Sequence, residues 1–395
     1  MYDFDKITGR LGTGCVKYDG LEGQFGRADL LPLWVADMDF ETGDFIVDAL
    51  RERIAHPVFG YPEVGPEYFR TIAGWVENLH GWKVDPEHFR FIPGIVRGFA
   101  LLEHFLLGKG DKVVIQPPVY HPFRITAQEQ GFGVVENPLV PIYGDDGFLE
   151  TYKMDLGGLE RICGDPAVKM LVLSNPHNPC GVAWDAGTLA AVADIAVANG
   201  VAVISDEIHC EMMLGGARHV PFASVSGNAA KCSVTFMAPT KTFNIAGIVS
   251  SYAIIEDPEL RDRIFGWLDA TEISYPGIFS ITATMAAYTK GARWREEMLE
   301  YVQANVDFVD GWLRENLPEI RAVRPQASFL IWLDCRRLGL PQEELNDLFV
   351  NKARLALNDG TMFGTGGEGF MRLNAGCPRS VLAEALRSLE KALKQ

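Results

Sequence analysis

The middle of this 395-residue chain alternates short runs rich in Val, Ile and Leu with longer helical patterns. The candidate strands are residues 89–92, 112–116, 168–173, 201–205, 233–237 and 249–255. An alanine-rich helix over residues 186–199 separates two of them and stops at Gly200, a residue typical of the position just after a helix. Apolar strands without alternation are typical of a sheet buried on both faces. Strand–helix–strand order therefore predicts an α/β protein with a mainly parallel, doubly wound sheet.

The pattern changes near residue 290. A long amphipathic helix is predicted over residues 294–317, followed by a strand (328–334), a helix (342–352), a strand (370–374) and a final helix (379–393). We therefore predict a large domain over residues 46–288 and a smaller α+β domain over residues 289–395. Residues 1–45 are irregular and are predicted to pack on the small domain or on a partner subunit.

The composition excludes several classes of function. A formal net charge of −16 argues against nucleic acid and against anionic membranes, because both require a basic surface. No apolar run approaches the roughly 20 residues that span a bilayer, and the first residues lack the layout of a signal peptide. The seven cysteines form no C-x-x-C pair, which predicts neither a zinc site nor a disulfide framework. We predict a cytoplasmic protein in a reducing compartment, without a metal.

Ligands of open α/β sheets bind beyond the carboxyl ends of the strands, so the residues that follow each strand are the candidates. Lys241 follows the strand 233–237 and has apolar residues on both sides. Burial favours the neutral amine, which is the form that condenses with an aldehyde. Taken alone, the same pattern fits a lysine at the rim of a core even better.

Two neighbouring strands end in polar residues with matching chemistry. Asp206 ends an apolar strand, where a carboxylate requires a cation such as a protonated pyridine nitrogen. A helix cap or a buried salt bridge is the alternative. Asn178 follows another strand and can donate to a phenolic oxygen, although alone it fits an Asn-Pro turn better.

Three further positions suit a phosphate and an aromatic ring. Gly94 allows a tight turn, after which the N–H groups of Ile95 and Val96 can bind a phosphate at the start of a helix. Thr240 can add its hydroxyl to the same phosphate. Tyr120 can stack on a pyridine ring, although most tyrosines in such positions belong to the core. Together with Lys241, Asp206 and Asn178, these residues predict a pyridoxal-phosphate (PLP) enzyme with the cofactor bound to the lysine as a Schiff base.

Arg372 lies on the short strand 370–374 of the small domain. Its planar fork suits a substrate α-carboxylate through two parallel hydrogen bonds. A surface ion pair is what most arginines form, and the local sequence does not decide between the two roles.

Several motifs resemble those of known proteins. SNPHNP (174–179), SDEIH (205–209) and TKTFNIAG (240–247) resemble the fold-type I aminotransferases. The narrower resemblance is to the cystathionine β-lyase and cystalysin branch, the MalY/PatB family. It rests on LPLWVADMDF (31–40), FGY (59–61), IQPPVYHPF (115–123), WLDC (332–335) and MRLNAGCPRS (371–380).

The resemblance implies a PLP-dependent transferase fold, with a sheet of the seven-stranded type in the large domain. It implies that Lys241 carries the cofactor and that Arg372 binds the substrate carboxylate, which the backbone of Val35 and Ala36 borders. It also implies a homodimer in which Tyr61 reaches the cofactor phosphate of the neighbouring subunit.

The implied reaction is β-elimination from cystathionine, cysteine or a related S-substituted cysteine, which gives a thiol or sulfide, pyruvate and ammonia. An aminotransferase is the alternative, because both reactions use the same lysine, aspartate, asparagine and arginine. A regulatory protein-binding role alongside catalysis is the third possibility. His209 replaces a tyrosine of aspartate aminotransferases, which argues against aspartate transamination.

Overall fold

The computed structural model describes residues 2–394 as fifteen strands and fourteen α-helices. The strands are β1 Leu31–Pro32, β2 Phe89–Ile92, β3 Lys112–Ile115, β4 Gly133–Glu136, β5 Val140–Tyr143, β6 Leu149–Lys153, β7 Val168–Ser174, β8 Ala202–Asp206, β9 Ser233–Met237, β10 Ser251–Ile254, β11 Arg321–Val323, β12 Leu330–Asp334, β13 Leu355–Ala356, β14 Asn358–Asp359 and β15 Phe370–Asn374.

The helices are α1 Val16–Asp19, α2 Leu21–Phe25, α3 Asp44–Ala55, α4 Pro66–His80, α5 Ile95–Leu106, α6 Pro122–Glu129, α7 Leu156–Cys163, α8 Ala186–Asn199, α9 Gly227–Cys232, α10 Pro258–Ala270, α11 Ile278–Lys290, α12 Ala292–Asn316, α13 Gln342–Asp347 and α14 Arg379–Leu393. Short 3₁₀ turns lie at Pro86–His88, Phe222–Ser224, Arg336–Leu338 and Gly360–Phe363, and a π-helical turn lies at Leu348–Lys352.

A seven-stranded sheet in the order β2-β10-β9-β8-β7-β3-β4 forms the large domain. Only β10 runs antiparallel to its two neighbours, and the other pairs are parallel. The predicted α/β class and the mainly parallel, doubly wound sheet are confirmed. The carboxyl ends of β7, β8 and β9 therefore meet at one edge of the sheet.

Both faces of this sheet are covered by helices. In β7, Met170 and Val172 belong to the core formed with α5, α6 and α10. The alternate residues Leu171 and Leu173 belong to the core formed with α7 and α8. Successive strand residues point to opposite faces, so β7 has to be apolar on both. This explains the uninterrupted hydrophobic runs of the sequence.

The C-terminal part contains an antiparallel sheet in the order β11-β12-β15-β14, on which the long helix α12 and the last helix α14 pack. The N-terminal segment joins it, because β1 pairs in parallel with β13. One hydrophobic core runs from Phe4 through Trp294 to Ala392 and also includes Tyr68 and Tyr252 of the large sheet region. Gly291 separates α11 from α12.

The structure differs from the sequence-based prediction in several elements. The edge strand β4 and the hairpin β5–β6 were not predicted, because their residues are short, partly exposed runs without a clear period. The helix predicted over residues 342–352 consists of α13 followed by the π-helical turn Leu348–Lys352. The N-terminal segment contains α1, α2 and β1 where an irregular segment was expected.

Two further features concern membranes and cysteines. Within residues 2–394, no helix combines the length and apolarity that crossing a bilayer requires. All seven cysteines are unpaired, and six of them are buried, whereas Cys15 is partly exposed.

Glu103 of α5 is a buried carboxyl that links two helices. It accepts hydrogen bonds from Thr126 Oγ1 (3.0 Å) and Gln130 Nε2 (2.8 Å) on or next to α6. Burial raises the pKa of Glu103 to about 7, although these two hydrogen bonds lower it. The folded protein thus holds this proton more tightly than the unfolded chain, and the free energy of unfolding falls as the pH rises from about 4.5 to about 7.

We expect Glu103→Gln to raise the free energy of unfolding at pH 8 by about 1–3 kcal/mol, because a neutral amide replaces a buried charge. At pH 5 the two proteins should differ little. Urea unfolding at both pH values measures the effect, with the exposed Glu129→Gln on α6 as the matched control. Equal gains at both pH values would contradict the titration argument.

Candidate active site

A cavity of about 310 Å³ lies beyond the carboxyl ends of β7, β8 and β9, against the start of α5. Most of the residues singled out in the sequence line it. They are Ala36, Ile95, Val96, Tyr120, Asn178, Asp206, Thr240 and Lys241. The structure thus brings together side chains that are separated by up to 205 residues in the chain.

Lys241 lies shortly after β9 and is half-buried in the cavity wall. Its Nζ donates a hydrogen bond of 2.5 Å to the carbonyl oxygen of Ala36. Burial lowers the pKa of Lys241 to about 8, with Arg372 acting in the same direction and with Asp37 and Asp206 opposing. The neutral amine is therefore much more populated near neutral pH than in an exposed lysine.

Asp206 is the last residue of β8 and is buried. Burial raises the pKa of its carboxyl to about 7, although the Ile208 N–H, 3.1 Å from Oδ1, and the Lys241 charge lower it. Within the described residues, no lysine, arginine or histidine forms an ion pair with it. A cationic ligand atom at this position would complete the environment that an ionised carboxylate requires.

Asn178 and Arg372 form a buried pair at the other wall of the cavity. Arg372 Nη1 donates to Asn178 Oδ1 at 3.0 Å. Because a guanidinium only donates, this contact fixes the orientation of the amide and leaves Asn178 Nδ2 free to donate into the cavity. The Asn178 carbonyl accepts the Tyr120 N–H at 3.1 Å, which ties the two residues together.

Arg372 lies behind this wall rather than among the lining residues, and only 4% of it is exposed. Its Nη2 donates to Trp34 O (3.0 Å) and Asn358 Oδ1 (2.6 Å), and its guanidinium lies 5.0 Å from the Phe363 ring centre. Burial lowers the pKa of Arg372 to about 10, so it stays charged at neutral pH. Its Nε has no hydrogen-bond partner in the described part of the chain. A guanidinium whose partners are all neutral can still form an ion pair with the carboxylate of a ligand.

The start of α5 forms an anion-binding corner of the cavity. Gly94 adopts a φ of 115°, which L side chains rarely adopt, and its carbonyl accepts the Gly98 N–H at 2.8 Å. The N–H groups of Ile95 and Val96 have no partner within the helix, as at any helix start. The hydroxyl-bearing residues Thr240 and Ser251 also line the cavity, and Ser251 was not predicted. This corner can bind a phosphate.

Besides Arg372, two predicted residues lie outside the cavity lining, namely Tyr61 and Val35. Tyr61 is fully exposed and lines a surface groove together with Val58. Phe59, two residues before it in the chain, is also exposed. Val35 does not line the cavity, and its carbonyl oxygen accepts Asn374 Nδ2 at 2.6 Å.

Asn244 and Asn374 are important residues that the sequence analysis did not single out. Asn244 has a positive φ of 54° and its amide forms three hydrogen bonds with the backbone of Met38 and Phe40. Asn374 Nδ2 donates to the Val35 and Asp37 carbonyls at 2.6 Å each. Together they fix the backbone that borders Lys241. Both asparagines lie in motifs quoted above, but nothing in their local sequence indicates partners so far away.

His209 also lines the cavity. Burial lowers the pKa of His209 to about 3, and the charges of Lys241 and Arg372 act in the same direction. The imidazole is therefore neutral near pH 7.

These features fit the predicted cofactor part by part. The start of α5 can bind its phosphate, Asp206 its protonated ring nitrogen, Asn178 Nδ2 its phenolic oxygen and Lys241 Nζ its aldehyde carbon. The fit depends on Asp206 in particular, because no cationic side chain of residues 2–394 forms an ion pair with this buried carboxyl.

Comparison with known proteins supports the same family and fold. The model of the family described as aminotransferase class I and II matches residues 28–389, which is most of the chain. The chain belongs to this family. Among its relatives, the chain is 42% identical over 391 residues to cystathionine beta-lyase PatB of Bacillus subtilis, covering 99% of this chain and 100% of the relative.

Solved structures of the family have the same fold. A PLP-bound putative aminotransferase from Clostridium difficile superimposes with a TM-score of 0.95 at 37% identity, with 100% of both chains covered. Cystalysin from Treponema denticola, which contains pyridoxal 5'-phosphate, gives a TM-score of 0.94 at 31% identity and covers 100% of this chain and 99% of its own. The predicted aminotransferase-like fold and the resemblance to the PatB and cystalysin branch are confirmed.

Proposed function

We propose that this chain is a PLP-dependent carbon–sulfur β-lyase. Its substrates are cystathionine, cysteine or related S-substituted cysteines, and its products are a thiol or sulfide, pyruvate and ammonia. The observation that carries the proposal is the single cavity that joins Lys241, Asp206 and Asn178, with Arg372 behind its wall. The names of the relatives, cystathionine beta-lyase PatB and cystalysin, support the lyase reaction in particular.

The residues divide the work of the reaction among them. Bound PLP supplies an aldehyde that condenses with amines and a ring that withdraws electrons from the substrate α-carbon. Arg372 binds the substrate α-carboxylate beside Asn178 and thereby orients the α-carbon. Lys241 Nζ, released as a neutral amine, removes the α-proton, and departure of sulfur from the β-carbon follows. Asp206 would hold a proton on the ring nitrogen, and the Tyr120 ring would offer a stacking surface to the bound cofactor.

Transamination is the competing reaction, because it begins with the same proton transfer at Lys241. The similar Clostridium difficile structure is described as a putative aminotransferase, and this supports transamination as the second candidate reaction. The difference lies in the second substrate, since only a transaminase consumes an amino-group acceptor.

The test is to incubate the purified protein with cystathionine and no keto acid, and to measure pyruvate. Steady release of pyruvate and homocysteine over many turnovers is expected for the lyase. If pyruvate or another keto acid is formed only when an acceptor is added, the chain is an aminotransferase. Cysteine and other S-substituted cysteines, supplied in parallel, define the preferred leaving group.

We also propose a cytoplasmic homodimer that acts on small amino acids and binds neither nucleic acid nor membrane. Exposed apolar residues lie near Tyr61. Val58 lines the same surface groove, and the exposed rings of Phe59 and Phe279 lie 5.9 Å apart. Such a patch is typical of an interface between subunits. In the proposed dimer Tyr61 leaves solvent and reaches the cofactor phosphate of the partner subunit. The seven unpaired cysteines support a reducing compartment.

A mixing experiment tests whether the sites are shared. Lys241→Ala and Tyr61→Ala each damage every site in their own homodimers. In a mixed dimer, however, one site receives an intact lysine from one subunit and an intact tyrosine from the other. Refolded equimolar mixtures are expected to recover about one quarter of the wild-type activity.

The control replaces Tyr61→Ala by Tyr143→Ala, another exposed tyrosine, far from the patch in the hairpin β5–β6. Tyr143→Ala alone should be active. If the mixture of Lys241→Ala and Tyr61→Ala gains no activity over the separate proteins, Tyr61 does not complete the partner's site.

A further inference from the structure

The N-terminal segment contains a cluster of four charges, which we call the N-terminal charge cluster: Arg10, Lys17, Asp37 and Asp39. Lys17 and Asp39 are buried, and Arg10 and Asp37 are partly exposed. Lys17 has no exposed surface, and its Nζ lies 2.7 Å from Asp39 Oδ2. Arg10 bridges the two acids, with Nη1 at 2.7 Å from Asp39 and Nη2 at 2.7 Å from Asp37. Two cations and two carboxylates therefore balance each other. Removing either cation would leave a carboxylate uncompensated in a poorly solvated place.

The backbone next to this cluster contacts two side chains of the active site. The carbonyl of Ala36 accepts Lys241 Nζ at 2.5 Å, and the carbonyl of Trp34 accepts Arg372 Nη2 at 3.0 Å. On its other side, Trp34 Nε1 donates to the Lys17 carbonyl at 2.9 Å. One short segment, residues 34–37, thus lies between the charge cluster and both functional cations.

We propose that the N-terminal charge cluster is a positioning device for the active site. Arg10 holds both carboxylate oxygens of Asp37 and so presents the Ala36 and Trp34 carbonyls to Lys241 and Arg372. It also keeps Asp37 from pairing with the Lys241 ammonium. The proposal rests on the proposed function only in that Lys241 and Arg372 act on the substrate.

The contact between Ala36 and Lys241 has a defined place in the reaction. The contact belongs to a Lys241 that is free of the cofactor, because a nitrogen condensed with the cofactor would keep at most one proton, and that proton would be shared with the cofactor's phenolic oxygen. The Ala36 carbonyl therefore holds Lys241 during the step in which its amine takes up the α-proton. An Asp37 released from Arg10 would compete for that same ammonium and hold it away from the substrate.

The experiment compares Arg10→Ala, Arg10→Lys and the double variant Arg10→Ala/Asp37→Asn with the wild type. The readouts are kcat and KM for pyruvate release, per site loaded with cofactor, and the thermal unfolding midpoint. Arg10→Ala is expected to lower kcat/KM by about 10- to 100-fold, mainly through kcat. The double variant should recover part of that loss, because the competing carboxylate is gone. Arg10→Lys should lie between, since a lysine keeps the charge but not the fork.

The matched control is Arg27→Ala, which breaks the bidentate Arg27–Asp29 pair in the same segment, where Asp29 is exposed. It should leave kcat and KM within twofold of wild type. The proposal is overturned if Arg10→Ala keeps wild-type kcat/KM, or if its loss equals the loss of folded, loaded protein. It is also overturned if the double variant is no better than Arg10→Ala. If Arg10→Ala does not fold, Asp37→Asn alone must still change kcat.

The outcome does not depend on which reaction the wild type catalyses. If the wild type needs an acceptor, the proposed lyase function fails, and the same variants are compared in transamination. Lys241 and Arg372 have the same tasks in both reactions, so the two results are read separately.

Discussion

Replacing Lys241 with alanine is expected to reduce pyruvate release by at least about 10³-fold, because the chain loses both the amine that condenses with the cofactor and the base that moves the α-proton. Lys241→Arg should be equally inactive. It keeps a positive charge in the same half-buried place but cannot become a neutral base, as its pKa stays too high. The pair of variants therefore separates the charge of this side chain from its proton transfer.

The measurement is single-turnover and steady-state pyruvate release, with visible absorbance of the bound cofactor recorded for each protein. Lys112→Ala is the matched control, because it removes a lysine of β3 whose ion pair with Asp165 is partly exposed. That control should keep full activity. Full turnover by Lys241→Ala would remove the basis of the proposed function.

Asp206→Asn is expected to lower kcat by about 10²- to 10³-fold, equivalent to losing roughly 3–4 kcal/mol from a buried charge pair. The amide keeps an oxygen for the Ile208 N–H but cannot hold the proton on the cofactor ring. Burial, partly offset by the Ile208 N–H and the Lys241 charge, raises the pKa of Asp206 to about 7. A protonated ring nitrogen bound beside it would therefore keep this carboxylate ionised in neutral solution.

A second readout of Asp206→Asn is cofactor affinity, measured by dialysis and reconstitution, which should weaken together with kcat. Asp165→Asn is the control, because Asp165 forms the partly exposed ion pair with Lys112. It should change neither kcat nor the affinity for the cofactor. Wild-type kcat in Asp206→Asn would show that the ring nitrogen needs no carboxylate here.

The sequence was sufficient to predict the part of the site that depends on strand ends. Asn178, Asp206 and Lys241 each follow a buried apolar strand, and parallel neighbours bring their carboxyl ends to one edge. The glycine turn before α5 could be predicted for the same reason. These predictions needed only the period of the strands and the order of the elements.

The other part of the site depends on contacts between distant segments, which no local pattern encodes. Asn358 and Trp34 contact Arg372 from β14 and from the N-terminal segment. Asn244 reaches Met38 across a separation of 206 residues. The two asparagines contribute their side-chain amides and Trp34 its backbone carbonyl, and none of the three has an unusual local environment in the sequence. The importance of these residues depends on tertiary packing. The surroundings of Tyr61 in a dimer likewise depend on contacts between subunits.

The cysteines of this chain have a consequence for a protein that releases a thiol or sulfide. Only thiolates exchange with disulfides or persulfides. Burial raises the pKa of Cys163 to about 11 and those of Cys232 and Cys377 to about 12, and it also raises the pKa values of Cys180, Cys210 and Cys335. Six of the seven side chains are therefore inert and inaccessible toward sulfur species formed a short distance away. A released thiol or sulfide attaches to a cysteine only after an oxidant has converted it to a disulfide or persulfide. Exchange with such a species is expected first at the partly exposed Cys15, where mass spectrometry would detect it.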